Sequence, residues 1–249
     1  MIIMGTKTEK LETVTKGWQK GNFIVIAGRM KMGKTAFALS LVHNMAVKKN
    51  IPLAMFSLEM STEQLMTRLK KICDQEDESF DINEAPFYVD DTPSLSVSEL
   101  QAKALQWVNE HQVKMIIVDY IQLMDASDHS CNSRKEEITI ISHALKSLTK
   151  ELDIPIIALS WLHVPVEKDR KRPRLCDLRE SDVLAEDADL VYLIHRPEFY
   201  RVFYDQYGND MRGVAEIITA KHPDGERDDV YLHFSEEHGM FTDEKKKKK

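Results

Sequence analysis

The sequence predicts an α/β chain: a mostly parallel, twisted sheet flanked by helices, with antiparallel strands at its C-terminal edge. Three observations carry that expectation. Short apolar runs of strand type alternate with stretches whose apolar residues recur every three or four positions, the pattern of strands joined by crossover helices. Between the first such run and the first such stretch stands Gly28-Arg29-Met30-Lys31-Met32-Gly33-Lys34-Thr35, which matches G-x-x-x-x-G-K-[ST]. Near the C-terminus two strand-like runs follow each other with only a turn between them.

The elements follow in order. Phe23–Ala27 reads as a buried strand, and Ala36–Val47 as a helix with Phe37, Leu41 and Met45 on one face. Pro52–Leu58 is the second strand and runs into Glu59. Ser61-Thr62-Glu63-Gln64 has the spacing of a capping box that opens a helix. A short strand is expected at Phe87–Val89, and a second box, Ser96 to Glu99, opens a helix ending near His111. Met115–Val118 is the next strand and ends in Asp119. A third box, Ser133 to Glu136, opens a long helix whose residues Ile138, Ile141, Leu145, Leu148 and Leu152 share one buried face. Pro155–Leu159 and Leu190–Ile194 are further strands. Val214–Ala220 and Val230–Phe234 form a closing hairpin with Pro223-Asp224-Gly225 between them. Two polar stretches, Asp125–Asn132 and Glu167–Asp182, interrupt the order; long irregular segments in such a domain are functional or disordered.

Over 249 residues the apolar fraction is 43%, ample for a core, and the net charge of −7 excludes a general polycation, so any positive potential must be local. Cys73, Cys131 and Cys176 are scattered and form no C-x-x-C pair, which fits a reducing compartment without a metal centre. No apolar run reaches the ~18 residues of a membrane span, and the chain reads as cytoplasmic. The organisation expected is an arm at 1–10, a single domain at 11–241, and a disordered Lys-rich tail at 242–249.

The residues themselves indicate a chemistry. A glycine turn between a buried strand and a helix start directs backbone N–H groups at an anion, and this pattern arises by chance in about one chain in a hundred of this length. Gly28, Arg29, Met30, Lys31, Met32, Gly33, Lys34, Thr35 and Ala36 are therefore the candidate ATP-binding residues. Lys34 would reach the β- and γ-phosphates, and Thr35 would bind Mg²⁺. Ligands of open α/β sheets sit beyond the carboxyl ends of strands, where Glu59 and Asp119 also fall. Asp119 follows a fully apolar run, the pattern of the Walker B acid that holds Mg²⁺ through water. Two roles fit Glu59: a favourable charge beside a helix N-terminus, or the general base that polarises the attacking water. Lys34, Glu59 and Asp119 are thus the catalytic candidates.

Several separated segments resemble one family. Gly17-Trp18-Gln19-Lys20-Gly21, Phe56-Ser57-Leu58-Glu59-Met60, Val118-Asp119-Tyr120-Ile121-Gln122-Leu123, Ser142-His143-Ala144-Leu145-Lys146, Asp177-Leu178-Arg179-Glu180-Ser181, His195-Arg196-Pro197-Glu198-Phe199-Tyr200 and Ala215–Lys221 look like the RecA-like motor domain of DnaB-family replicative helicases, over about Leu11 to Phe234. The resemblance implies a P-loop ATPase that uses ATP and Mg²⁺ to move along single-stranded DNA as a hexameric ring. It implies DNA-backbone contacts at Arg179, Glu180 and Ser181, with Lys171 and Arg172 of the adjoining basic stretch as further candidates. It also implies that Lys221 serves the neighbouring subunit's γ-phosphate. The family's N-terminal domain, which docks primase, has no counterpart here. Contacts with primase or a helicase loader would then need other parts, and the chain is either one cut to the motor domain or a natural short relative.

The family pattern is broken in four places. Met30-Lys31 stands for Pro-Ser in the loop, and Asp182 for a glycine after the DNA segment. Trp161 occupies the place of a γ-phosphate-sensing glutamine; an indole N–H donates one hydrogen bond and accepts none. Pro223 replaces the arginine finger, leaving Arg227 as the candidate substitute. The last two raise an alternative reading: a helicase-derived module that binds ATP for assembly and hydrolyses it poorly.

Overall fold

A computed structural model describes residues 18–74, 82–126, 131–162, 172–178, 182–224 and 229–243. Among these, nine strands form one sheet in the order β3-β2-β4-β5-β1-β6-β7-β8-β9. In chain order they are β1 (Phe23–Gly28), β2 (Leu53–Ser57), β3 (Phe87–Asp90), β4 (Ile116–Asp119), β5 (Ile156–Trp161), β6 (Leu190–His195), β7 (Val214–Lys221), β8 (Val230–Ser235) and β9 (Met240–Asp243). The first six are parallel. From β6 onward the pairs are antiparallel.

Parallel strands need crossovers long enough to return the chain to the same edge, and helices supply them. These are α1 (Lys34–Val42, continued by a π-helical turn His43–Val47), α2 (Thr62–Asp74), α3 (Val97–His111), α4 (Arg134–Leu152) and the short α5 (Asp182–Asp187). Alternate residues along each central strand point to opposite faces. Ile24, Ile26, Ile157 and Leu159 therefore pack with Phe37 and Leu41 of α1 and Leu65 and Leu69 of α2. Phe23, Val25, Ile156 and Ala158 pack on the other face with Leu100 of α3 and Ile141, Leu145 and Leu148 of α4. Covered on both faces, β1 is buried at all six positions, which is why it reads as a continuous apolar run.

The helix starts follow the expected caps with one variation. Ser61 and Gln64 bond reciprocally, as do Ser96 and Glu99. At α4, Ser133 accepts from the Glu136 N–H, but the Glu136 carboxylate reaches one residue further back, to the Asn132 N–H at 2.7 Å. Three features lie beyond the sequence expectation. The first helix begins at Lys34, two residues before Ala36, so Lys34 and Thr35 are its opening residues. It also ends in a π-helical turn. The closing hairpin gains a third strand, β9, which extends to Asp243, past the expected boundary at 241. Its Phe241 packs edge-on against Phe37 of α1, with ring centroids 5.4 Å apart. No helix among the described residues is long and apolar enough to cross a membrane.

The packing of α4 is directly testable. Leu145 is 1% exposed. Leu145→Ala should lower unfolding free energy by about 2–5 kcal/mol in urea titrations followed by circular dichroism. A loss below about 1 kcal/mol would mean that this face is not a packed core surface.

Candidate nucleotide site at the carboxyl edge of the sheet

The loop leaving β1 is shaped by its glycine before any ligand is considered. Gly33 stands at the N-cap of α1 with φ +96°, in the left-handed region that side chains resist. A Cβ there would also lie 3.0 Å from the Phe241 ring. The loop is pinned from behind by Arg196. Its guanidinium donates to the Lys31 carbonyl at 3.4 Å, pairs with Glu236 and lies 4.1 Å over the Phe234 ring. Arg29 and Met32 are buried behind the loop, while Met30 is exposed at its tip.

The first residues of α1 present backbone N–H groups that no helical carbonyl can satisfy, the arrangement that binds phosphate. Beside them the Lys34 ammonium donates to the carbonyls of Gly28 at 3.0 Å and Arg29 at 3.2 Å. Burial pulls its pKa down to about 8, against the opposing charges of Asp119 and Glu59. Thr35 donates its hydroxyl to Asp119 Oδ2 at 2.7 Å.

Asp119 ends β4, and the sheet register places it beside Ser57 at the end of β2. The Leu58 N–H then donates to the Asp119 carbonyl at 2.8 Å, which aims the chain so that Glu59 emerges at the same edge. Asp119 is 1% exposed, and among the described residues its buried Oδ1 has no hydrogen-bond partner. Burial pushes its pKa up to about 6, opposed by the Thr35 hydrogen bond and by Lys34 and Arg68, and reinforced by Glu59. A buried carboxylate oxygen without a donor is costly, and a hard cation is the partner that suits it. The donor set of Thr35 and Asp119 therefore fits Mg²⁺.

These groups face one cleft of about 530 Å³, lined by Lys34, Thr35, Glu59, Asp119 and Arg68 and walled at the far side by Phe234, Glu236 and Gly239 around the β8–β9 turn. Loop residues Met30, Lys31 and Gly33 and the helix residue Ala36 also line it, as does Trp161. The fold thus brings together Lys34, Thr35, Glu59 and Asp119 from three separate strand ends. A polyphosphate at the helix start, a cation beside Asp119 and a carboxylate near the terminal phosphate make up the parts of phosphoryl transfer to water.

Other sequence candidates lie elsewhere. Lys221 donates to the carbonyls of Ala185 and Glu186, both at 2.9 Å, near the C-terminal end of α5, where a cation is electrostatically favoured. Arg172 donates to Glu216 at 2.8 Å and pairs with Asp229, so two carboxylates offset its charge. Lys171, Arg179, Glu180, Ser181 and Arg227 fall outside the described residues, as do 1–10 and most of the expected tail. Groups lining the cleft or pinning its loop also escaped sequence reasoning. Arg68 and Glu236 carried no pattern, and Arg196 stood in a quoted segment without a role.

Comparison with known proteins identifies the family. The family model for the DnaB-like helicase C terminal domain matches residues 4–78 and 70–243. The chain is 35% identical to the replicative DNA helicase DnaB of Geobacillus stearothermophilus, over 94% of this chain and 55% of that protein. It is likewise 35% identical to the replicative DNA helicase DnaC of Bacillus subtilis (strain 168), with the same coverage. It therefore spans about half the length of the curated relatives it matches. Among solved structures, one ATPase domain superposes with a TM-score of 0.82 at 29% identity, covering 97% of this chain and 91% of that one. A DnaB-like replicative helicase, solved in a study of its interactions with primase, gives a TM-score of 0.82 at 30% identity, covering 96% and 63%. None of these likenesses favours the hydrolysis-impaired module. A shared fold, a preserved phosphate loop and a family model spanning nearly the whole chain lead to one conclusion: the chain belongs to the family of the DnaB-like helicase C terminal domain.

Proposed function

We propose that this chain is the ATP-driven motor domain of a cytoplasmic replicative DNA helicase, with residues 11–241 as the motor unit. It binds ATP with Mg²⁺, hydrolyses the ATP, and couples that to movement along single-stranded DNA as one subunit of a hexameric ring. The observation that supports this best is the convergence of Lys34, Thr35, Glu59 and Asp119 on one cleft. The N–H groups at the start of α1 and the Lys34 ammonium hold the β- and γ-phosphates. Thr35 and Asp119 hold Mg²⁺, the aspartate through water; when bound, that cation supplies neutralising charge at the phosphate oxygens. Glu59 orients the attacking water and accepts its proton.

The other half of the site comes from a neighbouring subunit in this reading, through Lys221 and Arg227. Lys221 must give up the α5 carbonyls to serve there, so its movement reports subunit docking. Arg179, Glu180, Ser181 and Lys171 contact the DNA backbone. Arg172 contributes less net charge, because Glu216 and Asp229 already face it. Such binding is electrostatic and weakens steeply with salt.

Two measurements test this reading. Steady-state ATP hydrolysis by the chain should rise on addition of single-stranded DNA. Glu59→Gln should lower kcat by about 10²-fold or more while changing KM for ATP only a few-fold. Absence of DNA-stimulated turnover, or a Glu59→Gln variant with normal kcat, contradicts it.

The second measurement is pH dependence. The Asp119 pKa is raised from 3.8 to about 6 in the folded protein. Protonation therefore favours the folded protein alone, and that contribution is lost as pH rises through about 6. Cation binding needs the ionised form, so Mg²⁺-dependent nucleotide affinity should fall about tenfold per unit as pH drops below about 6. Equilibrium binding titrations should show this fall in the native chain but a much shallower one in Asp119→Asn, which also controls for titration of the nucleotide. Equal slopes would remove Asp119 from the cation site.

A further inference from the structure

We infer that Asp187 is a positioning residue: clasped by α4, it fixes the end of α5 so that Lys221 is held withdrawn until a neighbouring subunit draws it off. This rests on the reading of Lys221 as the lysine that serves the neighbour's phosphate.

The sheet first turns Lys221 toward α5. Lys221 ends β7 and pairs with Val191 of β6, but the next residue of β6, Tyr192, pairs with Thr219, so Ala220 is an extra residue in the ladder. A bulge of this kind re-aims the side chains beside it. Strict alternation would put Lys221 on the sheet face opposite Ile218 and Ala220. Those two pack in the apolar layer that also holds Leu184 of α5. Lys221 reaches the same side, where its ammonium donates to the Ala185 and Glu186 carbonyls, both at 2.9 Å.

Those carbonyls belong to a helix too short to hold its own end. α5 has six residues, of which Leu184 is buried, and so short a helix is not stable by itself. The residue after the two carbonyls is Asp187, and it is fastened from outside. Its Oδ2 accepts from the Ser142 hydroxyl of α4 at 2.6 Å and lies 2.8 Å from Nδ1 of His143. Two residues on, Asp189 Oδ2 accepts from the Phe23 N–H at 2.7 Å, and the Asp189 N–H donates to the Phe23 carbonyl at 2.8 Å. The end of α5 is thereby tied both to α4 and to the first residue of β1. A carboxylate at a helix C-terminus is unfavourable on its own. Asp187 therefore contributes through its partners on α4 and not through the helix that carries it.

The result is a lysine with two states. Docked on α5, Lys221 has two acceptors in its own chain; extended, it serves the neighbour. A group whose competent state is populated only in part binds its partner more weakly in proportion. By keeping the carbonyls aimed, the clasp sets that population, and with it the protein concentration at which subunits complete each other's sites. Loss of the clasp should raise activity at low protein concentration. Loss of a residue that only supports the fold would lower it.

The test is acetylation of the chain by an amine-reactive ester, followed lysine by lysine by peptide mass spectrometry, alongside steady-state ATP hydrolysis at increasing protein concentration. In Asp187→Ala, Lys221 should react about tenfold faster than in the native chain, the effect of losing hydrogen bonds to one charged acceptor. Lys70, exposed on α2, should react at the native rate. The protein concentration for half-maximal turnover should fall about tenfold. Ser142→Ala combined with His143→Ala removes the clasp while leaving α5 untouched, and should do the same. If Lys221 reactivity stays within about twofold of native in both clasp variants, or if turnover falls in both, the inference is overturned. The reading of Lys221 is checked separately by Lys221→Ala, which should lose most of the turnover that appears as concentration rises. If Lys221→Ala keeps native turnover, that reading falls and the inference with it.

Discussion

A carboxylate that the fold has desolvated organises this edge of the molecule. Asp119 sits at the end of a central strand with apolar neighbours before it and helices over both sheet faces, so water cannot satisfy it. Thr35 supplies one donor, Lys34 supplies charge nearby, and Oδ1 is left without a partner. Desolvation works in opposite directions on the two ionisable groups. It raises the carboxyl to about 6 and lowers the ammonium to about 8, so each resists its charged form and each is relieved by the other's charge. A ligand that brings both anionic oxygens and a cation satisfies the pair at once. That requirement is narrower than either group alone would impose.

The sheet makes the arrangement possible. Strand order places β4, β5 and β1 side by side, so Asp119, Trp161 and Gly28 emerge in a row from residues far apart in the chain. Helix α1 then begins where the row faces it, and its unpaired N–H groups join the site without any side chain. The antiparallel end of the sheet completes the enclosure. Phe241 meets both α1 and Phe234, while Arg196 ties the loop to the β8–β9 turn. The C-terminal strands thus help to wall the cleft and are not merely an edge.

Much of this was legible in the sequence because the signals are local. The apolar runs of β1, β4 and β6, the stepping of Ile138 through Leu152, and the glycine loop depend on residues within one turn or strand. The acids Glu59 and Asp119 were readable because each directly follows an apolar run. What escaped depends on distance. Arg196 reaches the loop across 165 residues and Glu236 across 40, and no periodicity marks such contacts. Strand β9 is only four residues long and half buried, too short for an alternating pattern to declare itself. The Glu136 carboxylate bonds the Asn132 N–H one residue further back than the expected box, a choice that spacing alone does not make.

The central claim is that the buried carboxylate exists for a cation and a polyphosphate, at some cost to the protein alone. Thermal unfolding of the native chain and Asp119→Asn, each with and without Mg²⁺ and a non-hydrolysable ATP analogue, tests it most directly. The amide removes a desolvated charge, so the variant without ligand should have a Tm no lower than the native chain. The native chain should gain several degrees with the ligand pair, at about 100-fold excess over Kd, and the variant should gain far less. A variant that loses several degrees alone, yet keeps the full ligand-dependent gain, would show that Asp119 serves the fold and not the ligand.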